Sequence, residues 1–198
     1  MAKKQFRPDE FQIAQGLAEQ WRPIFRRVVD RDKWYRIDAG IWRPVEGDIG
    51  MMTWRAMTDT GLNVLLTSTR AAIKMLGAHP AFAVTSRDAI AKIEGAVLKV
   101  TDEPLARTSQ TGREYVVAHA DDVHGALTIL AFTDDVRAAL LSAAPGDMLM
   151  IDGTAKISFY DGSPTVEATS ICRTEMREDS KIVRQKPAEP RPACVTLH

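Results

Sequence analysis

The chain has 198 residues, 45% of them hydrophobic and 26% charged, which is ordinary for a folded protein with one large domain or two small ones. Its 26 basic and 26 acidic residues cancel, so the net charge excludes a simple electrostatic argument for a polyanionic partner. The balance is uneven, because Lys and Arg against Asp and Glu number 14 to 10 in residues 1–90, 6 to 12 in residues 91–172 and 6 to 4 in residues 173–198.

Cysteine and histidine usage gives no sign of a metal site or a disulfide framework. Cys172 and Cys194 do not form a C-x-x-C pair, and the four histidines show no H-x-x-x-H spacing. The first residues include lysines without a following apolar run, and no segment approaches the roughly 20 apolar residues of a membrane span. We therefore predict a cytoplasmic protein, of bacterial or mobile-element origin, that needs no metal or other cofactor.

The first predicted element is a helix within residues 8–28. Pro8, Asp9 and Glu10 suit the first turn of a helix, and apolar residues then recur at roughly helical spacing. Pro23 is expected to end or kink this helix, because proline removes a backbone donor.

The next segment is predicted to be mostly β-structure followed by a short helix. Alternating Leu62, Val64 and Leu66 indicate a half-buried strand, and an Asp and a Gly just before it suggest a hairpin. Ser68 or Thr69 is expected to cap the helix. The predicted elements are strands over 34–42, 51–57 and 62–66 and a helix over 70–76.

From residue 91 the pattern predicts three strands, a helix and two further strands. Gly95 lies inside the first strand, where a glycine often marks a bend or bulge. Thr133 is a good cap for the helix, and Pro145, Gly146 and Asp147 form a turn after it. The predicted elements are strands over 91–101, 112–120, 126–132, 147–160 and 164–172 and a helix over 134–143.

This order resembles the OB-fold, a five-stranded, partly open barrel with a helix between its third and fourth strands. The resemblance is closest to the OB domains of single-strand-binding proteins and of replicative polymerase subunits. It implies a mainly β protein with an α+β N-terminal region and a C-terminal five-stranded OB-fold barrel. The residues that support the resemblance are Ile93-Glu94-Gly95, Gly125, Pro145-Gly146-Asp147, Gly153 and Asp161-Gly162.

We accordingly divide the chain into an N-terminal region over 1–90, an OB-fold domain over 91–172 and a flexible tail over 173–198. The tail is assigned on its prolines and mixed charges. Residues 62–80 and 127–146 share the order strand, threonine, amphipathic helix and proline. The N-terminal region is therefore either a degenerate second OB-like unit or a distinct small α/β domain behind a helix.

The resemblance implies binding of single-stranded nucleic acid. OB-folds bind single strands across strands two and three and the neighbouring loops, by stacking bases on aromatic side chains and holding the backbone in a basic groove. An enzyme is not indicated, because no phosphate loop or common catalytic motif is present. The positions to which the resemblance assigns contacts are Lys99, Arg107, Arg113, Tyr115, His119, Lys156 and Tyr160, with Lys92 and Phe159 as further candidates.

The four tryptophans form a second candidate site, since each is followed by an arginine within two positions. In one interpretation the aromatic rings stack on bases and the arginines supply charge. In the other, strand alternation buries the aromatics and exposes the arginines. The first interpretation adds Trp34, Tyr35, Arg36, Trp42, Arg43 and Arg55 to the candidate contacts.

We predict a non-catalytic protein that binds single-stranded DNA, or else RNA, in replication, repair or DNA transfer. The excess of acidic residues in 91–172 argues against this prediction, because backbone binding needs positive potential. The alternative is an OB-fold assembly module whose partner is a protein of a larger nucleoprotein, plasmid or phage complex, or a second copy of the chain.

Overall fold

The structure is a computed structural model that describes residues 8–175 and 183–184, so most of the predicted tail lies outside the described residues. The chain divides into two compact units. Unit 1 comprises the chain up to Ile93 together with Thr154–Glu167, and unit 2 comprises Glu94–Gly153 together with the chain from Ala168. Within residues 8–175, none of the helices has both the length and the apolar composition that crossing a bilayer requires.

Unit 1 begins with helix α1 (Glu10–Trp21), which confirms the helix predicted before Pro23. Asp9 caps it, because its carboxylate accepts a hydrogen bond from the Gln12 N–H at 2.8 Å. The Gln12 side chain in turn accepts from the Asp9 N–H at 3.1 Å, which completes a capping box. The side chains buried on one face of the helix are Ile13, Ala14, Leu17 and Trp21.

The strand predicted over 51–57 is wrong, because these residues belong to helix α2 (Ile49–Asp59). Asp48 starts this helix by accepting hydrogen bonds from the backbone N–H groups of Gly50 at 2.8 Å and Met51 at 3.2 Å. An arginine of the next helix, Arg70, also pairs with the Asp48 carboxylate.

The strand predicted over 62–66 is also wrong. Helix α3 (Leu66–Ala78) begins there, and residues 62–65 are irregular. Thr69 lies inside the helix rather than at its cap, and its hydroxyl donates to the Leu65 carbonyl at 3.0 Å. The strand that residues 62–80 were expected to share with residues 127–146 is therefore absent from this segment.

A four-stranded sheet completes unit 1, in the order β3-β2-β1-β4. Strand β1 pairs antiparallel with β2 and parallel with β4, and β2 pairs antiparallel with β3. The single strand predicted over 34–42 is thus a hairpin that turns at Ala39 and Gly40, where both residues have positive φ. The strands are β1 (Phe25–Val28), β2 (Lys33–Asp38), β3 (Ile41–Pro44) and β4 (Ala83–Val84).

Five of the seven remaining strands in the described residues form a closed barrel, as the fold class predicted. The sheet order is β11-β10-β8-β7-β5-β9, a further pairing of β9 with β10 closes the barrel, and β6 pairs with β7. Helix α4 lies between the third and fourth barrel strands along the chain, as predicted. The elements are β5 (Ala91–Val100), β6 (Leu105–Thr108), β7 (Glu114–Asp122), β8 (Gly125–Ala131), α4 (Asp134–Leu141), β9 (Met148–Ile157), β10 (Pro164–Glu175) and β11 (Val183–Arg184).

Candidate nucleic-acid interface

The outer surface of strands β6, β7 and β8 in unit 2 is set by strand alternation. Val116, Ala118 and Ala120 of β7 are buried, so the residues between them face outward. Strand β8 alternates in the same way, with Leu127 and Ile129 buried. We call this outward surface the barrel face; its residues are Leu105, Arg107, Arg113, Tyr115, Val117, His119, Asp121, Thr128, Leu130 and Phe132.

Two partly exposed aromatic rings lie together on the barrel face. The ring centroids of Tyr115 and Phe132 are 5.7 Å apart, with an angle of 33° between the ring planes. The guanidinium of Arg113 lies over the Phe132 ring, 4.3 Å from its centroid, at cation–π distance. Arg107 of β6 is exposed and directly opposite Tyr115 in register. This group can therefore offer π faces and two positive charges at the same place.

An aliphatic row adjoins the two rings. Leu105 and Leu130 are both in register with Val117, so their side chains share one face of the sheet. Leu105 is 47% exposed, and the other two are half-buried. The row extends the apolar surface on which the flat face of a base, or a protein side chain, can pack.

His119 lies one row further along β7 and is held by Asp102. Its Nδ1 atom is 2.6 Å from the Asp102 carboxylate, which also accepts a hydrogen bond from the His119 N–H at 2.8 Å. Burial raises the pKa of Asp102, but the hydrogen bonds from the side chain and the N–H of His119 outweigh it and hold that pKa below its usual value. Lys99 of β5 is exposed and opposite Asp121, the next outward residue of β7.

A second exposed aromatic group belongs to unit 1, in the turn between β9 and β10. We call residues 158–163 the aromatic hairpin; Tyr160 is 93% exposed and Phe159 is 59% exposed. The guanidinium carbons of Arg31 and Arg87 lie 5.9 and 5.5 Å from the Phe159 ring centroid. Lys156, which precedes the hairpin, pairs with Glu167.

The aromatic hairpin is fixed by contacts with the front of unit 1. The buried Tyr35 hydroxyl donates to the Gly162 carbonyl at 3.1 Å. Arg31 donates to the carbonyls of Ser158 at 3.2 Å and Tyr160 at 3.3 Å. The exposed rings therefore stand on an ordered turn.

The rings of Trp34, Tyr35 and Trp42, which one interpretation of the sequence exposes to a base, are buried in unit 1. Trp34, Tyr35 and Trp42 are 9%, 1% and 5% exposed, and Arg43 is buried with them. Trp34 packs against α1, with its ring 5.5 Å from that of Trp21. Packing in the core therefore explains why these aromatic residues are present, and the expectation that their rings are exposed is wrong. Two predicted arginines are exposed: Arg36, which pairs with Asp38 at 2.8 Å, and Arg55 on α2.

Six residues of the barrel face were not among the predicted contacts: Leu105, Val117, Asp121, Thr128, Leu130 and Phe132. Strand β6, which carries Leu105, lies between the predicted strands 91–101 and 112–120, where no strand was predicted. Phe132 and Leu130 belong to the strand predicted over 126–132, but the prediction did not say which of its side chains face outward. The signal was present, because inward Leu127 and Ile129 imply that 130 and 132 face outward.

No protein-family model matches the chain, and no curated protein does either. Among solved structures, that of a small single-stranded DNA-binding protein from Streptomyces coelicolor is similar, at 23% sequence identity and a TM-score of 0.34. The similarity covers 39% of this chain and 88% of that one. At this identity and TM-score, the similarity carries no argument about the function of this chain.

Proposed function

We propose that the chain binds single-stranded nucleic acid, such as single-stranded DNA, through the barrel face and without catalysis. The observation that supports this most directly is the pair of partly exposed rings, Tyr115 and Phe132, flanked by Arg107 and Arg113. Stacking on an aromatic side chain is worth roughly 1–3 kcal/mol per base, so two rings give a substantial part of a single-strand affinity. In a duplex, both flat sides of a base are covered by neighbouring base pairs and cannot stack on Tyr115 or Phe132. The barrel face therefore favours unpaired strands.

A second candidate function is docking of a protein partner on the same surface. The aliphatic row of Leu105, Val117 and Leu130 favours it, because contiguous exposed apolar residues are typical of protein interfaces. The acidic excess of residues 91–172 points the same way. The two functions differ in their dependence on salt, because binding of a phosphate backbone weakens as salt rises, whereas an apolar protein interface should not.

The proposal is tested by fluorescence anisotropy with a labelled oligo-dT strand and a pair of tyrosine variants. Tyr115→Ala is expected to weaken binding about 5- to 150-fold, which corresponds to roughly 1–3 kcal/mol. Tyr160→Ala is the matched control, because it removes the same ring from the aromatic hairpin of unit 1. If Tyr160→Ala causes the loss and Tyr115→Ala does not, the ligand lies on the hairpin and the proposal is wrong.

Intrinsic tryptophan emission gives an independent readout in the same titration. None of the four tryptophans is a residue of the barrel face, and Trp21, Trp34 and Trp42 are buried, so a base cannot stack on them. We therefore expect anisotropy to rise while tryptophan emission stays constant. Quenching of the tryptophan emission on binding would instead indicate that the ligand contacts the tryptophans.

A further inference from the structure

The barrel face has two ends of opposite charge along β7. At one end, Arg107 and Arg113 flank Tyr115, and the nearest carboxylate in sequence, Glu114, is bound by Arg137 at 2.7 Å. We call this the cationic end.

At the other end, carboxylates outnumber cations. Asp121 is exposed on β7, Asp102 holds His119, and Glu103 is exposed beside Asp102. Lys99, directly opposite Asp121, balances one of these three charges. We call this the acidic end; a phosphate placed here would meet net negative potential.

The two ends of the barrel face are far enough apart for the charges of each end to act on a phosphate independently. On β7, Tyr115 is four residues from His119, which Asp102 holds, and six residues from Asp121, or about 14 and 20 Å at ~3.4 Å per residue. The Debye length is about 10 Å at 0.1 M ionic strength. At ordinary salt, the arginines of the cationic end therefore do not offset the repulsion of a phosphate at the acidic end.

We propose that the barrel face holds a short unpaired stretch whose phosphates contact only the cationic end, and that the acidic end excludes the backbone. This inference rests on the proposed function and specifies the kind of strand that the site accepts. Its affinity comes mainly from stacking on Tyr115 and Phe132 and from the aliphatic row. Lys99, a predicted contact, then makes no phosphate contact.

Salt dependence measures the number of phosphates held. Each neutralised phosphate of a single strand contributes about −0.7 to the slope of log K against log salt concentration, so two arginines predict about −1.4. The footprint is expected at the short end of the OB-fold range, about 4 nucleotides, because the backbone cannot continue over the acidic end. Affinity should therefore stop rising with oligo-dT length at about that size, apart from the statistical gain of extra positions.

The experiment compares two charge-removing variants of the full chain, each checked by circular dichroism. Arg107→Gln is expected to reduce the slope by about 0.7. Lys99→Gln removes the same charge from an exposed strand position at the acidic end and is expected to leave the slope unchanged. If Arg107→Gln perturbs the fold, Arg113→Gln takes its place with the same expected change.

Separate results overturn the inference and the proposed function. Wild-type binding with a slope of −3 or steeper, roughly four phosphates or more, overturns the inference alone. An equal loss of slope in Lys99→Gln and Arg107→Gln does the same, because it places phosphates at both ends. Absence of oligo-dT binding at low salt overturns the proposed function and this inference with it.

Discussion

Asp161, in the aromatic hairpin, illustrates how local hydrogen bonds set the state of a single residue. Its carboxylate accepts from the Ser158 hydroxyl and from the Ser163 N–H at 3.0 Å and hydroxyl at 2.8 Å, and these bonds lower its pKa to about 2. An unfolded Asp titrates near 3.9, so the folded pKa is the lower one. The stabilisation of the folded state by the ionised Asp161 is therefore present above about pH 4 and is lost as pH falls through about 2.

We expect NMR titration of the Asp161 carboxyl carbon to give a midpoint near 2. Asp161→Asn is the control, because it keeps the turn residue but removes the titrating group. A midpoint near the ordinary value of about 3.9 would show that the serine hydrogen bonds do not hold in solution.

Trp34 and Tyr35 show why the sequence could not decide which way neighbouring aromatic side chains point. Alternation predicts that one of Trp34 and Tyr35 faces solvent, but both are buried. Trp34 packs in a cluster with Trp21 and Phe82, whereas Tyr35 packs in another with Val28 and Trp42. Both faces of the unit 1 sheet are therefore covered at this strand. A strand buried on both faces has no solvent side from which its register can be recognised.

At the scale of elements, α2 was mistaken for a strand although its start signal is in the sequence. Asp48 precedes the helix, and Met51, Trp54 and Met57 recur every three residues, which is a helical spacing. Among the helices that the sequence predicted, α1 has a side-chain cap at Asp9. The helix predicted over 70–76, which lies inside α3, and α4 both begin without a side-chain cap hydrogen bond. At α2, the cap was the better guide than the side-chain types, because methionine, threonine and tryptophan are compatible with either structure.

The importance of this cap can be measured. Asp48→Ala removes the acceptor for the Gly50 and Met51 N–H groups and is expected to lower the free energy of unfolding by about 0.5–2 kcal/mol. Asp48→Asn retains a capping oxygen and loses only the charge that pairs with Arg70, and an exposed pair of this kind is expected to contribute little to stability. Equal destabilisation by both variants in urea unfolding would assign the effect to the ion pair instead of the cap.

At the scale of the whole molecule, the order of the barrel elements was predictable and the division of the chain into units was not. The barrel strands and α4 are bounded by local turn residues, such as Gly125 and Gly146, both at positive φ. Membership of a unit depends on contacts between distant residues. Tyr35 binds Gly162 across 127 positions of sequence, and no local pattern encodes such a pair.

The predicted boundary after residue 90 can be tested on this basis. Ile157, from the segment Thr154–Glu167, completes the unit 1 cluster that contains Tyr35 and Trp42. A fragment of residues 1–90 lacks this side chain and the hairpin that receives the Tyr35 hydrogen bond. We therefore expect it to show red-shifted tryptophan emission and no cooperative urea transition.

The full-length variant Ile157→Ala separates the loss of this one side chain from the loss of the segment. It is expected to lower the free energy of unfolding, followed by tryptophan emission, by about 2–5 kcal/mol while the transition stays cooperative. If the 1–90 fragment unfolds cooperatively with the emission of the full chain, residues 154–167 are dispensable for the first core. The boundary predicted from the sequence would then be the physical one, because the front of the chain would hold its tryptophans buried without help from the last hairpin.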